Sequence, residues 1–317
     1  MNNPIGMRIP PHFGKEGVEY TAKWAKENGI EVLDLPILDE SVKNILSSYQ
    51  IGIGSIDGKG CVGNTDILSE DEGKRWNAVL SLKEQFEQVS ALGGSVIFMC
   101  LIPENSLLPK KRSLEIWKET FPEVVGLAEK NNLYIALEGW PGPAPAYPTL
   151  GTTPEVLRYM FNEVPSKHFG VNYDPSHLVR LGIDYLRFLD EFGEKVLYCH
   201  GKDTALLAED LYDLGNLPSV FDSKYDFSEG AWRYTIPGHG EVDWRKVAVR
   251  LDALKYKGPI SIELEDHYYW GSLSSEQEGI VKAKDFLQTV FHKKKTGTLI
   301  STSFPNSEDL RTPSIIA

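Results

Sequence analysis

Three carboxylates and one imidazole stand at the ends of four short apolar runs, and these side chains are the ones best suited to chemistry. The residues and their runs are Glu138 in LYIALEG (133–139), Asp174 in HFGVNYDPSH (168–177), His200 in KVLYCHGKD (195–203) and Glu263 in GPISIELED (258–266). Oxygen ligands combined with one imidazole nitrogen suit a hard or borderline divalent ion such as Mn²⁺, Mg²⁺ or Zn²⁺. The sequence therefore predicts one divalent metal site built from these four side chains.

The spacing of the candidate ligands indicates the fold that would bring them together. The successive gaps are 36, 26 and 63 residues. A (β/α)₈ barrel of about 250 residues spends roughly 30 residues on each strand–helix unit. The gaps predict two single steps and then one double step around a barrel. All four side chains would then lie on the rim formed by the carboxyl ends of the strands.

Strand-like and helix-like segments alternate along most of the chain, which is typical of a parallel α/β fold. About eight strand candidates favour a closed (β/α)₈ TIM barrel over a doubly wound sheet. Residues 1–291 are predicted to form a single catalytic barrel domain, with an irregular segment at 204–231. The polar stretch 292–317 is predicted to be a C-terminal tail that is partly disordered or packs on a partner.

The composition argues against several classes of protein. The 317 residues carry a formal net charge of −12, whereas a nucleic-acid or anionic-membrane partner needs a basic face. No apolar run approaches the roughly 18 residues of a membrane span, and no signal peptide is expected from the polar N-terminus. Three cysteines without a CxxC pair are typical of reduced thiols, so we expect a cytoplasmic protein.

Each candidate ligand also has a structural interpretation. A carboxylate at a strand end, such as Glu138, can be a helix cap or a surface salt-bridge partner. Asp174 precedes Pro175 and can cap the helix that follows. A single histidine such as His200 is more often a hydrogen-bonded residue of the rim. The coincidence of four strand ends favours the metal interpretation.

The last strand offers two candidate ligands. Alternation along ISIELED places Ser261, Glu263 and Glu265 on one face of the strand. Glu263 is the preferred ligand because it lies within the strand end, and Glu265 stays open as the alternative.

Five further residues are candidate contacts for a substrate: His177, Lys202, Trp140, Arg233 and His239. His177 follows Asp174 by three residues, where it can reach a second ligand position or a substrate oxygen. Lys202 follows the candidate histidine ligand by two residues, and an ammonium there can stabilise an enolate electrostatically. Trp140 begins a loop rich in proline and glycine that can form the wall of a sugar site, and His239 lies in the glycine-rich PGHGEVDW (237–244).

Taken together, the strings LEG, NYDPSHL, HGKD, PGHGEVDW and ISIELED resemble the xylose-isomerase-like TIM-barrel superfamily of sugar isomerases, epimerases and inosose dehydratases. The resemblance covers roughly residues 5–290. It implies a single divalent ion, Mn²⁺ first with Mg²⁺, Co²⁺ or Zn²⁺ as alternatives, held by the residues matching Glu138, Asp174, His200 and Glu263. It also implies that the two glutamates move a substrate proton next to a carbonyl through an enediolate, and that His177 binds the substrate.

The residues after His200 depart from the epimerase pattern. Epimerases of this family carry an arginine there, whereas this chain continues GKDTALLAED, so Arg180, Arg233 or Lys202 would have to supply the cation. The form HGKD is more similar to the inosose dehydratase branch.

These observations predict a metal-dependent sugar isomerase or epimerase. The alternative is a lyase acting on oxo-sugars, either an inosose-type dehydratase or a deglycosidase of 3-oxo-glycosides, and a third interpretation is a sugar-binding protein without catalysis. The expected partners are a sugar or oxo-sugar and either a second copy of the chain or a partner subunit. The zinc endonucleases of the same superfamily are set aside, since the chain has no histidine between His12 and His168 to build a trinuclear site.

Overall fold

Ten β-strands and eleven α-helices make up the computed structural model, which describes residues 2–62 and 65–292. The strands are β1 Ile5–Arg8, β2 Val32–Leu35, β3 Gly52–Asp57, β4 Val96–Met99, β5 Tyr134–Glu138, β6 Phe169–Tyr173, β7 Val196–Gly201, β8 Asp203–Leu206, β9 Trp232–Thr235 and β10 Ile260–Ile262. Eight of them close into a parallel barrel in the order β1-β10-β7-β6-β5-β4-β3-β2. The other two, β8 and β9, pair with each other in antiparallel fashion outside the barrel.

A helix follows each barrel strand along the chain. The helices are α1 Pro11–Glu16, α2 Val18–Asn28, α3 Glu40–Tyr49, α4 Glu72–Leu92, α5 Lys110–Lys130, α6 Pro154–Glu163, α7 Pro175–Arg180, α8 Tyr185–Phe192, α9 Ala208–Leu214, α10 Trp244–Ala253 and α11 Leu273–Phe291. Side chains of Asp39, Asp71 and Thr153 accept hydrogen bonds from first-turn N–H groups and so begin α3, α4 and α6. Every helix in the described ranges is too short or too polar to cross a membrane.

The barrel strands are short runs buried on both faces, as expected for a parallel sheet covered by helices. Each residue of β2 and β6 is buried. Between β6 and the helices, Phe169 packs against Phe121 of α5 with ring centroids 5.0 Å apart and against Phe161 of α6 at 5.1 Å. This apolar packing fixes the strands that carry the polar rim.

The register of neighbouring strands determines the position of the candidate ligands along the barrel axis. Glu138 pairs with Asn172 across β5 and β6, and His200 pairs with Ser261 across β7 and β10. Asp174 comes directly after β6, and Glu263 comes directly after β10. The four candidate ligands therefore come from the carboxyl ends of four successive strands of the barrel.

The predicted (β/α)₈ barrel is confirmed, but the predicted double step between His200 and Glu263 is wrong. Strands β7 and β10 are direct neighbours in the barrel. The chain between them leaves the barrel to form β8, α9 and β9 and then returns through α10. The segment 204–231, predicted to be irregular, thus contains most of β8 and all of α9.

Most of the predicted tail, residues 293–317, lies outside the described residues. Its first residue, His292, contacts the start of the chain, with Nε2 2.9 Å from the carbonyl oxygen of Asn3. The boundary between domain and tail stays a prediction.

Candidate active site

The four candidate ligands converge at the rim of the barrel. The Nδ1 atom of His200 lies 3.3 Å from Oε2 of Glu138 and 3.4 Å from Oε2 of Glu263. Asp174 joins them, because one atom each of Asp174, His200 and Glu263 lie within 4.8 Å of one another. Glu138, Asp174 and His200 are buried, whereas the Glu263 side chain keeps 15% of its surface exposed.

Two buried atoms that lack a hydrogen bond indicate that this set of residues fits a divalent ion. Asp174 uses Oδ1 to cap α7, accepting a hydrogen bond from the Ser176 N–H at 2.9 Å, so its capping interpretation is confirmed. Its Oδ2 and the Nδ1 of His200 are both buried without a hydrogen-bond partner among the described residues, an arrangement rare in protein interiors. Oxygen and nitrogen ligands hold divalent ions at about 2.0–2.5 Å, so ligand atoms within 4.8 Å of one another can share one ion.

A buried lysine lies among the same carboxylates. The Nζ atom of Lys202 is 3.3 Å from Asp174 Oδ2 and 2.9 Å from Glu265 Oε2, and it also donates a hydrogen bond to Glu263. Burial alone would lower the pKa of Lys202, but the charges of these carboxylates hold it well above the usual value. Lys202 therefore carries a positive charge beside the candidate ligands, where it can hold a negative substrate oxygen.

His177 faces the candidate ligands from α7. Its Nε2 atom lies 3.1 Å from Glu138 Oε1 and 3.5 Å from Asp174 Oδ2, and its Nδ1 lies 2.6 Å from the hydroxyl of Tyr234. One atom each of Glu138, Asp174 and His177 also lie within 4.8 Å of one another. His177 is thus placed to reach either a metal or a substrate oxygen, and Tyr234 of β9 orients its ring from outside the barrel.

Neighbouring imidazoles and cations keep both glutamates ionised. Burial alone would raise the pKa of Glu138, but the imidazoles of His177 and His200 beside its carboxylate hold the pKa below the usual range. Burial acts in the same direction on Glu263, where the charges of Lys202 and His200 bring the pKa well below the usual value. Each glutamate is therefore an anion that can bind a cation or accept a proton.

Asp34, in the middle of β2, supports the site and was missed by the sequence analysis. Its buried carboxylate accepts hydrogen bonds from Ser261 Oγ at 2.6 Å, from Ser55 N at 3.0 Å and from the Tyr198 hydroxyl. Its Oδ2 lies 3.7 Å from Nε2 of His200. At that distance Nε2 has no hydrogen-bond partner among the described residues, but the negative charge of Asp34 lies directly behind the imidazole. The available signal was an aspartate inside the apolar run VLDL.

A cavity of about 270 Å³ opens onto these residues. Its lining includes five predicted site residues and the alternative ligand of the last strand: Glu138, Trp140, His177, Lys202, Glu263 and Glu265. The other lining residues are Arg8, Val62, Phe98, Cys100 and Ile102. Both candidates of the last strand thus face the cavity, but Glu263 is the one that contacts His200.

Arg8, at the end of β1, is a second residue that the sequence analysis missed. Its guanidinium pairs with both carboxylate oxygens of Asp57 at 2.8 and 2.9 Å, and its Nε lies 3.6 Å from Glu263 Oε1. The guanidinium also lies over the ring of Phe98, 4.7 Å from its centroid. Arg8 and Lys202 therefore approach Glu263 from two sides.

Two of the predicted substrate contacts lie away from the residues that line the cavity. Arg233 on β9 pairs with Asp266 at 3.2 Å and lies over the Tyr268 ring. His239 is exposed in the turn before α10, with its ring 6.4 Å from that of Tyr269. Of the three cations considered in place of the family arginine, Lys202 lines the cavity, whereas Arg180 is held by Glu229 at 2.7 Å.

A closed parallel barrel that carries a polar cluster at the carboxyl ends of its strands is the arrangement of TIM-barrel enzymes. A sequence profile of the family described as xylose isomerase-like TIM barrel matches residues 12–290. The chain therefore belongs to the xylose isomerase-like TIM-barrel family, and the resemblance drawn from its motifs is confirmed.

Proteins similar to the chain include one dehydratase and two epimerases. It is 29% identical to the inosose dehydratase of Geobacillus thermodenitrificans over 139 residues, which is 43% of this chain and 43% of that protein. The chain thus spans less than half the length of the curated relative in this match.

Two solved structures share the fold: the D-psicose 3-epimerase of Clostridium cellulolyticum, and the 3-keto-D-glucoside 4-epimerase of E. coli. The first has a TM-score of 0.64 and 14% identity over 91% of this chain and 99% of that chain. The second has a TM-score of 0.61 and 15% identity over 90% and 100%.

Proposed function

We propose that this chain is a divalent-metal-dependent sugar isomerase or epimerase that moves a proton at a carbon next to a carbonyl. The observation that carries the proposal is the approach of Glu138 and Glu263, from β5 and β10, to the same nitrogen of His200 within one cavity. Two ionised carboxylates that reach one point from different strands can remove and return a proton on two faces of a substrate.

The donor set supports Mn²⁺ as the ion, with Mg²⁺, Co²⁺ or Zn²⁺ as alternatives, because carboxylate oxygens outnumber the single imidazole. Glu138, Asp174, His200 and Glu263 would hold it. When bound, a divalent ion supplies Lewis-acid polarisation of the substrate carbonyl.

The remaining roles are assigned to individual residues of the chain. Glu138 is the proposed base, because it is buried in the cavity wall and held ionised by His177 and His200. Glu263 returns the proton, and its contacts with Arg8 and Lys202 fix its position. Lys202 and His177 hold substrate oxygens, and Trp140 shields the reacting carbon from water. Arg233 and His239 stay as proposed substrate contacts for a ligand that extends beyond the cavity.

Proton exchange tests this proposal directly. The Mn²⁺-loaded protein is incubated in D₂O with ketoses, inososes and 3-oxo-glucosides, and proton NMR follows deuterium entering one sugar carbon with formation of a new stereoisomer. Loss of the base predicts that Glu138→Gln slows exchange by about 10²–10⁴-fold. The matched control is Glu115→Gln on the exposed surface of α5, which should exchange as the wild type does. Equal exchange in Glu138→Gln and wild type would contradict the role of Glu138.

A lyase acting on oxo-sugars is the second candidate. The inosose dehydratase relative and the HGKD motif, with Lys202 lining the cavity, favour it. The same base would remove the proton, and a group on the neighbouring carbon would then leave, either as water or as the aglycone of a 3-oxo-glycoside. Chromatography of the reaction mixtures separates the two candidates, because an unsaturated or cleaved product indicates the lyase and sugar isomers alone exclude it.

The proposed enzyme acts on a small molecule in the cytoplasm, without a nucleic-acid or membrane partner. The acidic net charge and the three buried free thiols of Cys61, Cys100 and Cys199 support this setting. Assembly into a homo-oligomer or with a partner subunit stays a prediction. The exposed apolar side chains of Tyr212, Leu217, Val220 and Phe221 between β8 and β9 support that prediction.

A further inference from the structure

The ammonium group of Lys202 contacts carboxylate oxygens that the candidate metal site also needs. Its Nζ lies 3.3 Å from Asp174 Oδ2 and donates a hydrogen bond to Glu263 Oε2. That same oxygen of Glu263 lies 3.4 Å from Nδ1 of His200. Lys202 therefore contacts two members of the group of three residues that lie close enough together to hold one ion.

A divalent ion and an ammonium group oppose each other at such a site. Like charges about 4 Å apart repel, and the repulsion is strongest where water is excluded. The side chains of Lys202 and Asp174 are 1% and 0% exposed, so little water lies between them. In its present position, the ammonium of Lys202 would therefore weaken the binding of a divalent ion.

Lys202 has two further partners outside the four candidate ligands. Oε2 of Glu265 lies 2.9 Å from Nζ, and the ring centroid of Tyr234 lies 4.6 Å from it. Lys202 and Glu265 both line the cavity, and the Glu265 side chain keeps 30% of its surface exposed. Because a lysine has a flexible four-carbon stem, a small rotation can move the ammonium away from Asp174 while it keeps its contact with Glu265.

We propose that Lys202 is an internal counter-ion that competes with the divalent ion for Asp174 and Glu263. In the metal-free protein, the ammonium offsets the charge of these two carboxylates. When the ion binds, the ammonium moves toward Glu265 and the cavity, where it can contact a substrate oxygen. The inference rests on the proposed function, since it takes Asp174 and Glu263 as metal ligands.

The metal affinity of variants without the ammonium tests the inference. Isothermal titration calorimetry compares Mn²⁺ binding to chelator-treated wild type and Lys202→Met, with circular dichroism to verify the fold. Loss of the competing charge predicts at least about tenfold tighter binding in the variant. Lys202→Gln keeps a polar end and replaces Lys202→Met in the comparison if the latter fails to fold. A lysine that only positions Glu263 predicts weaker binding, so equal or weaker binding in the variant would overturn the inference.

Two control variants separate the position of the charge from other effects. Lys202→Arg keeps the positive charge, so its Mn²⁺ binding should not become tighter. Lys246→Met removes an exposed lysine on α10, which pairs with Asp243, and should bind Mn²⁺ as wild type does. Binding that tightens in either control by the same factor as in Lys202→Met would overturn the inference.

A double-mutant cycle tests the role of Glu265. Glu265→Gln removes the carboxylate that receives the ammonium, so it should weaken Mn²⁺ binding about threefold or more when Lys202 is present. In the Lys202→Met background, the same substitution should have a smaller effect. Equal effects in the two backgrounds would show that the two residues act independently and would overturn the role of Glu265.

Thermal unfolding gives a second readout of the competition. An ion that binds the folded protein raises Tm by mass action, so the same Mn²⁺ concentration should raise Tm more in Lys202→Met than in wild type. An equal or smaller rise in the variant would contradict the inference.

The failures of the two proposals are distinguishable. Mn²⁺ binding to wild type without tighter binding in Lys202→Met would overturn the inference and leave the proposed metal site in place. Absence of Mn²⁺ binding in wild type and in Lys202→Met would overturn the metal site and the inference together.

Discussion

At the scale of single residues, the site depends on side chains that perform two tasks with different atoms. Asp174 caps α7 with Oδ1 and leaves Oδ2 without a hydrogen bond, toward the other ligands. His200 lies between Asp34 on one side and two glutamates on the other, and it stacks on Phe98 with ring centroids 5.4 Å apart. This division explains why a structural interpretation and a functional one can both apply to the same residue.

Space for Asp34 comes from a glycine on the neighbouring strand. A Cβ atom at Gly54 of β3 would overlap the Asp34 carboxylate and the hydroxyl of Tyr198. The buried carboxylate behind His200 therefore requires glycine at this position.

The structure predicts that Asp34→Asn weakens Mn²⁺ binding. The amide loses the negative charge that holds the far nitrogen of His200, and loss of such a partner typically lowers metal affinity about 10–100-fold. Isothermal titration calorimetry measures the affinity, with circular dichroism to verify the fold. The matched control is Asp190→Asn, an exposed partner of Arg250, which should bind Mn²⁺ as the wild type does. Wild-type affinity in Asp34→Asn would show that the carboxylate does not position the ligand.

Sequence reasoning found the four candidate ligands because each one ends a strand, where polar residues are conspicuous. It missed Asp34, which lies within β2, and Arg8, which ends β1 but stands inside the longer strand-like run IGMRIP (5–10). Their partners are distant in the chain: Asp34 contacts Ser261, and Arg8 contacts Asp57 and Glu263. Such contacts depend on barrel closure, which the local pattern does not display.

At the scale of elements, the excursion of the chain between β7 and β10 explains why the spacing of the candidate ligands gave a wrong prediction. A gap of 63 residues suggested two barrel steps, but β8 and β9 pair outside the barrel and support the site from there. Tyr234 of β9 contacts His177 with its hydroxyl, and that hydroxyl also accepts a hydrogen bond from Arg180 at 2.8 Å. The excursion therefore forms an outer wall that orients the ring of His177.

Asp203, the first residue of β8, holds this excursion to the loop that precedes α10. Its carboxylate accepts hydrogen bonds from Gly238 N at 3.1 Å, Val242 N at 3.0 Å and Trp244 Nε1 at 3.2 Å. The glycine-rich PGHGEVDW is therefore a loop fixed by a buried aspartate. Burial raises the pKa of Asp203 from 3.8 to about 6, although these hydrogen bonds act in the other direction.

The raised pKa predicts how Asp203 affects stability as the pH changes. Protonated Asp203 contributes to the free energy of unfolding. This contribution is fully present below the pKa of the unfolded state and is lost as the pH rises through about 6. The loss amounts to at most about 3 kcal/mol, because each pKa unit corresponds to about 1.4 kcal/mol. Urea unfolding between pH 4 and pH 7 measures the difference in the free energy of unfolding between wild type and Asp203→Asn. We expect wild type to lose stability relative to the variant as the pH rises, and a constant difference would contradict the raised pKa.

At the scale of the whole molecule, the barrel rim divides into two halves. Strands β5, β6, β7 and β10 supply the carboxylates and the imidazole of the candidate metal site. Strands β1 to β4 supply the Arg8–Asp57 pair and Phe98. The first half therefore carries the candidate ligands, and the second half carries the cation that pairs with Asp57 and approaches Glu263.

The class of fold could be predicted because alternating strands and helices leave a periodic pattern along the whole chain. A cavity of about 470 Å³ between α4 and the loops after β2 and β3 could not be predicted, because it depends on how the helix lies against those loops. Gln85 and Gln88 hold those loops through backbone carbonyls, contacts that any exposed glutamine of a helix can offer. Only the assembled barrel shows which of them are used.

The central claim is that Glu138, Asp174, His200 and Glu263 together hold one divalent ion, and metal analysis tests it most directly. The protein is purified without chelator, its metal content is measured by mass spectrometry, and Mn²⁺ is titrated into the chelator-treated protein. The account predicts about one ion per chain and at least about tenfold weaker binding in Asp174→Asn and His200→Ala, with unchanged binding in the control Asp190→Asn. Absence of a bound ion, or equal Mn²⁺ affinity in wild type and both ligand variants, would contradict it and favour a sugar-binding protein without metal chemistry.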